Sequence, residues 1–349
     1  MKASYVSSSA ISEALRYSLS RMQKDLVQNQ QEATLGRHAD VGLALGASTG
    51  QAVSLRRDTD RLNSLLNANS QATNRLEATQ ASLTVAQEAS TKFLTTLTAA
   101  TGGNVHRSVL AAEAKSTLAQ LTDALNTSIN GQFIFAGINT DAKPVADFND
   151  PNSQARQAFE TAFETRFGFA MDDPQVATIP AEDIVSFVDT EVNELFMGDG
   201  WGEHVSSASD QLISARISLN ETADVSVSAN EDAIRQMMMG VVTITLLADT
   251  PLSTDAMKAV TDRSLEQFGG VVGEIGQLQS RTGIIQNRVN SASTRVESQV
   301  QVFQAMTLDL ESVDPYEAAT KVNDLLTQID VAYALTARIQ NLSLLNHLR

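Results

Sequence analysis

The sequence predicts a mainly α-helical protein, an elongated antiparallel helical bundle or coiled-coil rod that the N- and C-terminal halves form together. A small α+β domain is predicted to be inserted between the halves. Three observations predict this fold. Residues 1–143 contain no proline, apolar residues recur every three or four positions in both halves, and prolines, aromatic residues and carboxylates concentrate in the middle of the chain.

The first helix is predicted over residues 10–35, ending at Gly36. Its apolar residues share one face of a helix. They are Ile11, Leu15, Leu19, Met22 and Leu26. Four glycines from Gly36 to Gly50 predict a loop or a broken segment after this helix.

The next segment has the most regular apolar pattern in the chain, a heptad seam that predicts one long helix ending at Gly102-Gly103. The seam consists of Leu62, Leu65, Asn69, Ala72, Leu76, Thr79, Leu83, Ala86, Ser90, Phe93 and Leu97. Its small and polar members are typical of a contact in a multi-helix bundle. A further helix is predicted from about Ser108 to Asn130.

The pattern changes at Asn130, where the segment NGQFIFAGINT predicts a short strand or hairpin. Beyond it, residues 153–167 and 181–197 are expected to be helical, and strands are expected within residues 205–229. Gly198-Asp199-Gly200-Trp201-Gly202 follows a predicted helix and precedes none, so we interpret it as a turn beside a buried tryptophan.

Helix is predicted to resume at about Glu231, with the run Met237-Met238-Met239 filling a core. Asp249-Thr250-Pro251 breaks this helix, and Ser253 or Thr254 caps the next one. A second apolar seam then predicts the long returning helix. It consists of Ile275, Leu278, Ile285, Val289, Ala292, Val296, Phe303, Met306 and Leu310.

The last segment, after Asp314-Pro315, has one apolar stripe that continues almost to the final residue. Because chain ends fray unless something docks them, this stripe predicts a partner, and the first helix offers a matching one. We therefore predict an assembly interface on the two terminal helices. Its residues are Ile11, Leu15, Leu19, Met22, Leu26, Val322, Leu325, Ile329, Ile339, Leu342 and Leu345.

These patterns predict three regions. Residues 1–50 with 312–349 form a terminal helical assembly domain, residues 51–140 with 230–311 form a helical rod, and residues 141–229 form the inserted acidic α+β domain.

Charge and composition exclude several kinds of function. The formal net charge is −16, and the segment from Asp141 to Arg235 holds 19 Asp and Glu against five Lys and Arg. Such an acidic surface disfavours nucleic acids and anionic membranes as partners. Cysteine is absent, the four histidines are scattered, and no catalytic or phosphate-binding motif occurs. We therefore expect no enzyme activity, no cofactor and no metal site.

Three stretches carry a resemblance to a known family. They are ARIQNLSLLNHLR (Ala337 to Arg349), NGQFIFAGINT (Asn130 to Thr140) and SRTGIIQNRVNSASTRV (Ser280 to Val296). The chain resembles the bacterial flagellin superfamily along nearly its whole length, and within it the hook–filament junction proteins. Gly36 to Val41 stands where flagellins usually have a segment with paired aspartates. This departure favours a junction protein over the bulk filament subunit.

The resemblance implies a structural subunit that joins hook to filament as a ring of copies, beside a neighbouring hook-associated protein and flagellin. It also implies an extracellular position in the flagellum, type III export without a cleaved signal peptide, and a cytoplasmic export chaperone that binds the C-terminal helix. Two alternatives remain open at this point. The chain could be flagellin itself, or a cytoplasmic coiled-coil adaptor that is never exported.

Overall fold

The computed structural model describes residues 8–347, with side chains described from residue 10 to residue 338. Helices dominate it, which confirms the mainly α fold class. The helices are α1 (Ser8–Leu35), α2 (Val41–Leu45), α3 (Thr49–Thr101), α4 (Arg107–Leu125), α5 (Gln154–Phe167), α6 (Ala181–Phe187), α7 (Asn193–Met197), α8 (Asp232–Leu247), α9 (Thr254–Phe268), α10 (Val271–Glu311) and α11 (Pro315–His347).

Two small antiparallel hairpins complete the described secondary structure. Strands β1 (Ser128–Ile129) and β2 (Gln132–Phe133) form one, and β3 (Ser214–Ser218) and β4 (Glu221–Asp224) form the other. Short 3-10 helices lie at Gly46–Ser48 and Pro174–Thr178, and π-helical segments lie at Val188–Val192 and Trp201–Val205.

The described chain divides into two compact units. The terminal unit holds the residues up to Asn63 and from Glu297 onward, and the central unit is Ser64–Val296. The three regions predicted from the sequence have different boundaries from these units, and they remain a prediction.

The predicted heptad seam on α3 is buried at every position except Leu65, which is half-buried. Burial includes the polar seam residues Asn69, Thr79 and Ser90. On α10, the second seam is buried through Val296 except at the half-buried Ile285, whereas Met306 is 42% exposed. Both seams are therefore core-facing within the central unit, as their spacing predicts.

The core of the central unit contains side chains from the helices before the insert, from the insert and from the helices after it. Phe93 of α3 packs edge-to-face against Phe268 of α9, with ring centroids 5.1 Å apart. Phe159 and Phe163 of α5 pack against Phe187 of α6. The methionine run of α8 is buried in the same core, which confirms its predicted role as core filling.

Each hairpin is fastened to a long helix of the central unit. Asn130 and Gly131 have positive φ angles of 52° and 79°, the left-handed conformation that a tight hairpin turn needs. The Arg75 guanidinium donates to the Phe133 carbonyl at 2.9 Å, and burial lowers the pKa of Arg75. On the other hairpin, Ile217 packs with residues of α3 and α10.

Segment SRTGIIQNRVNSASTRV supplies arginines that hold the second hairpin. Arg288 and Arg295 each lie 3.1 Å from the Glu221 carboxylate, and Arg281 lies 3.0 Å from Glu231. The stretch therefore fixes the insert's last hairpin against α10 through ion pairs.

Several predicted boundaries differ from the observed ones. Helix α4 ends at Leu125, because residues 126–133 form the turn and hairpin. The predicted loop after Gly36 contains the short helix α2, which Asp40 caps by accepting from the Leu43 amide at 2.9 Å. The predicted strands within 205–229 shorten to β3 and β4. The cap at Ser253 is confirmed, since its hydroxyl accepts from Ala256 N.

Candidate assembly surface

The last helix, α11, begins at a strong helix-start signal. Pro315 occupies the first helical position, where its missing N–H costs no hydrogen bond. The Asp314 side chain accepts from the Tyr316 amide at 2.8 Å, and its carbonyl accepts from the Ala318 amide at 3.0 Å. A new helix therefore starts here and does not continue α10.

Helices α1 and α11 pack against each other within the terminal unit. Leu15, Leu19, Met22 and Leu26 of α1 are half-buried, whereas Ile11 is 38% exposed. The predicted interface residues of α11 whose side chains the structure describes are covered as well. Val322 and Leu325 are half-buried and Ile329 is buried, as are the neighbouring Ala318 and Ala332.

Three residues of the predicted interface lie outside the described side chains. They are Ile339, Leu342 and Leu345. The pairing of the two terminal helices is thus observed, while the role of all eleven residues in assembly stays a prediction.

The paired helices expose a second set of apolar side chains that the sequence analysis did not single out. Tyr17 is 75% exposed, Val27 63% and Tyr316 86%. The others are Leu35, Leu326, Val331, Tyr333 and Leu335. So many large apolar groups on two helices are typical of a surface that another molecule covers.

The chain between α1 and α2 lies beside the chain between α10 and α11, and we call this contact the joint of the terminal unit. At the joint, Arg37 and Ser312 form an antiparallel bridge. The amide of His38 donates to the Glu311 carbonyl at 3.0 Å, and the amide of Val313 donates to the Gly36 carbonyl at 3.0 Å. Local sequence patterns did not reveal this joint, because its hydrogen bonds join residues about 275 positions apart along the chain.

An ion pair secures the joint. Arg56 of α3 binds the carboxylate of Glu311, the last residue of α10. Glu311 is only 5% exposed, and its second carboxylate oxygen is buried without a hydrogen-bond partner. The negative end of helix α10 makes a carboxylate unfavourable there, so Arg56 compensates a real electrostatic cost.

Within residues 8–347, no three His, Asp or Glu side chains are placed to hold a metal ion. None of the helices in this part of the chain combines the length and apolarity needed to cross a membrane. What the described geometry defines is a helical protein whose first and last helices pair.

Comparison with protein families identifies the chain further. The bacterial flagellin N-terminal helical region matches residues 6–140, and the bacterial flagellin C-terminal helical region matches residues 265–348. Together the two matches cover well over half of the chain. The protein belongs to the bacterial flagellin family.

The matched regions correspond to particular elements of the fold. The N-terminal match spans α1 to α4 and the first hairpin, and the C-terminal match spans α10 and α11. The unmatched middle contains the acidic insert with α8 and most of α9.

A solved structure shares the fold. It is described as a candidate flagellar hook-associated protein from Vibrio parahaemolyticus, and it is similar to this chain with a TM-score of 0.51 at 12% sequence identity. The similarity covers 76% of this chain and 97% of that one. No curated protein sequence matches the chain significantly.

Membership of the family fixes the general role. Flagellins and their relatives are structural proteins that assemble with their own kind and with other flagellar proteins. This chain is therefore a structural component of the extracellular part of the flagellum.

Proposed function

We propose that the chain joins the flagellar hook to the filament, as a self-assembling ring of copies of the kind called hook-associated protein 3. In this role it contacts a neighbouring hook-associated protein on one side and flagellin on the other. The terminal helices supply the contacts between subunits, and the acidic insert faces water.

One observation carries the proposal. Most of the predicted stripe residues that the structure describes on α1 and α11 are at least half-buried, yet the two helices still expose Tyr17, Val27, Val331 and Tyr316. Large apolar side chains on a surface helix gain free energy when a neighbour removes them from water. An assembled flagellum provides such neighbours on several sides of a subunit.

Two local features support a junction subunit over flagellin. The segment Asn130 to Thr140, which resembles the junction proteins, contains the turn and the second strand of the first hairpin. Residues 36–41, where paired aspartates are missing, instead contribute to the joint with Ser312. The fold also resembles that of the candidate hook-associated protein from Vibrio parahaemolyticus.

Export belongs to the same proposal. A subunit that assembles outside the cell must travel there without its terminal helices associating in the cytoplasm. We therefore infer type III export without a cleaved signal peptide. A cytoplasmic chaperone would cover the apolar residues of α11 as a helix in a groove until export.

Deletion of the gene tests the proposal. The junction role predicts cells with bare hooks that release unassembled flagellin into the medium, and restoration of filaments by the intact gene. Loss of filaments without flagellin in the medium would instead favour a bulk filament subunit. Normal filaments in the deletion strain, with the protein confined to the cytoplasm, would favour the adaptor.

A further inference from the structure

We propose that a groove on the acidic insert binds a lysine- or arginine-rich peptide segment of a partner protein. The groove has a volume of about 1010 Å³ and lies between α5 and the segment from Thr190 to His204. All of its lining residues belong to the central unit. It does not depend on the junction role.

The two walls of the groove differ in chemistry. Helix α5 presents mostly small and uncharged side chains, among them Ala158, Thr161 and Ala162, together with the cationic Arg166 near its end. The facing wall presents carboxylates from two π-helical segments, and from α7 and the turn that lie between them. Such π-helical turns occur often at functional sites, since they displace side chains from their regular helical positions.

Closely packed glycines shape the acidic wall. A Cβ on Gly200 would lie 2.8 Å from the Leu195 Cα, and a Cβ on Gly198 would collide with the Glu194 carboxylate. Glu194 in turn accepts from the Asp199 amide at 3.3 Å. The glycines of this turn therefore let the chain fold back, so that Glu194 and Asp199 flank the same groove.

The carboxylates of this wall outnumber their cationic partners. Glu191 has Arg166 at 3.3 Å, and Glu203 has His204 at 3.7 Å, which is charged only when protonated. Among the described residues, no Lys or Arg lies within ion-pair distance of Glu194 or Asp199. The groove is therefore a region of negative potential on an insert that is itself strongly acidic.

This combination fits a basic peptide. Leu195 and Ala162 provide an apolar floor for the aliphatic stems of Lys and Arg, while the surrounding carboxylates receive the charged ends. The volume is at the upper end of what a small-molecule pocket has, so several residues of a peptide can enter. The field of the insert would also speed the encounter at low salt.

The test uses the full chain and a fluorescent ten-residue peptide of alternating Lys and Ala, with a Glu–Ala peptide as control. Fluorescence anisotropy at about 50 mM salt should show saturable binding of the basic peptide alone. The double variant Glu194→Gln/Asp199→Asn should raise the Kd about tenfold. The double variant Glu182→Gln/Asp183→Asn removes the same charge from the exposed first turn of α6 and should change the Kd less than about twofold.

A second variant tests the groove without changing its charge. Thr161→Trp, at an exposed position on the α5 wall, should obstruct the groove and weaken binding as strongly as the double variant. The proposal is overturned if the two double variants weaken binding equally, because that would be general attraction to the acidic insert. Unaltered binding by Thr161→Trp, or no binding by the unmodified chain, would overturn it as well.

Discussion

Arg56 and Glu311 are 255 positions apart in the sequence, and their ion pair fastens the first part of α3 to the end of α10. Glu311 is almost fully buried, while the Arg56 side chain is half exposed. The pair stands next to the bridge between Arg37 and Ser312. It therefore holds the end of α10 against α3 beside the bridge that joins the two helix interruptions of the terminal unit.

Arg56→Ala should loosen this joint. The substitution leaves the buried Glu311 carboxylate without its cation, and we expect a loss of about 1–2 kcal/mol in local stability, reduced from the fully buried case because Arg56 reaches solvent. Hydrogen exchange mass spectrometry should show this loss as faster amide exchange in residues 36–48 and 308–316. Arg57→Ala removes a neighbouring charge that is also exposed and should change these rates little. Equal exchange in both variants would show that the pair does not secure the joint.

Leu325→Asp should stop assembly while leaving the central unit folded. Leu325 is half-buried between α1 and α11, and an unpaired charge in that apolar contact costs about 1–3 kcal/mol. The measurement pairs thermal unfolding of the subunit with filament attachment in a strain that carries the variant.

Gln328→Asp is the matched control for this variant, because it adds the same charge to an exposed position on α11. Cells with Gln328→Asp should keep their filaments, whereas cells with Leu325→Asp should shed them. Firm filament attachment in both strains would mean that the terminal helices do not connect the hook to the filament.

Gly137→Ala should destabilise the region of the first hairpin far more than Gly131→Ala. Both glycines have positive φ, of 60° and 79°, so each substitution pays a conformational cost of about 1 kcal/mol. A Cβ at Gly137 would also collide with the Ser209 and Gln211 carbonyl oxygens, whereas Gly131 faces open space. Urea unfolding should separate the two variants by more than about 1 kcal/mol. Indistinguishable midpoints would contradict the close approach of residues 209–211.

Deletion of Asp314 to Arg349 should abolish binding of the export chaperone. The apolar residues of α11 are the predicted contact, and they are absent from this truncated chain. A pull-down from cytoplasm compares it with a chain that lacks residues 8–35 and retains α11. If the chain without residues 314–349 still captures the chaperone as well as the intact chain does, the binding site lies elsewhere.

The helices of this fold could be predicted from the sequence because their signals are local. The seam from Leu62 to Leu97 predicted which face of α3 would be buried, and only Leu65 is partly exposed. Asp314-Pro315 and Ser253 marked helix starts through chemistry that acts within a few residues.

Long-range contacts could not be predicted in the same way. Periodicity does not show which residue faces Arg56, because its partner lies on a different helix. Contacts within the insert could not be predicted either. Trp201 donates to the Asn230 side chain at 2.7 Å, which lies 29 positions further along the chain. The turn that contains Trp201 forms one side of the acidic groove. For the assembly surface, spacing predicted the paired stripes but not the exposed Tyr17 and Tyr316 on other faces of the same helices.

Immunogold labelling of intact flagella tests the junction role most directly. An antibody against the acidic insert, residues 141–229, should place gold at the boundary between hook and filament, and nowhere along the filament shaft. A strain that lacks the gene provides the control for the antibody. Gold along the whole filament, or none on flagella whose cells contain the protein, would contradict the proposal that this chain joins hook to filament.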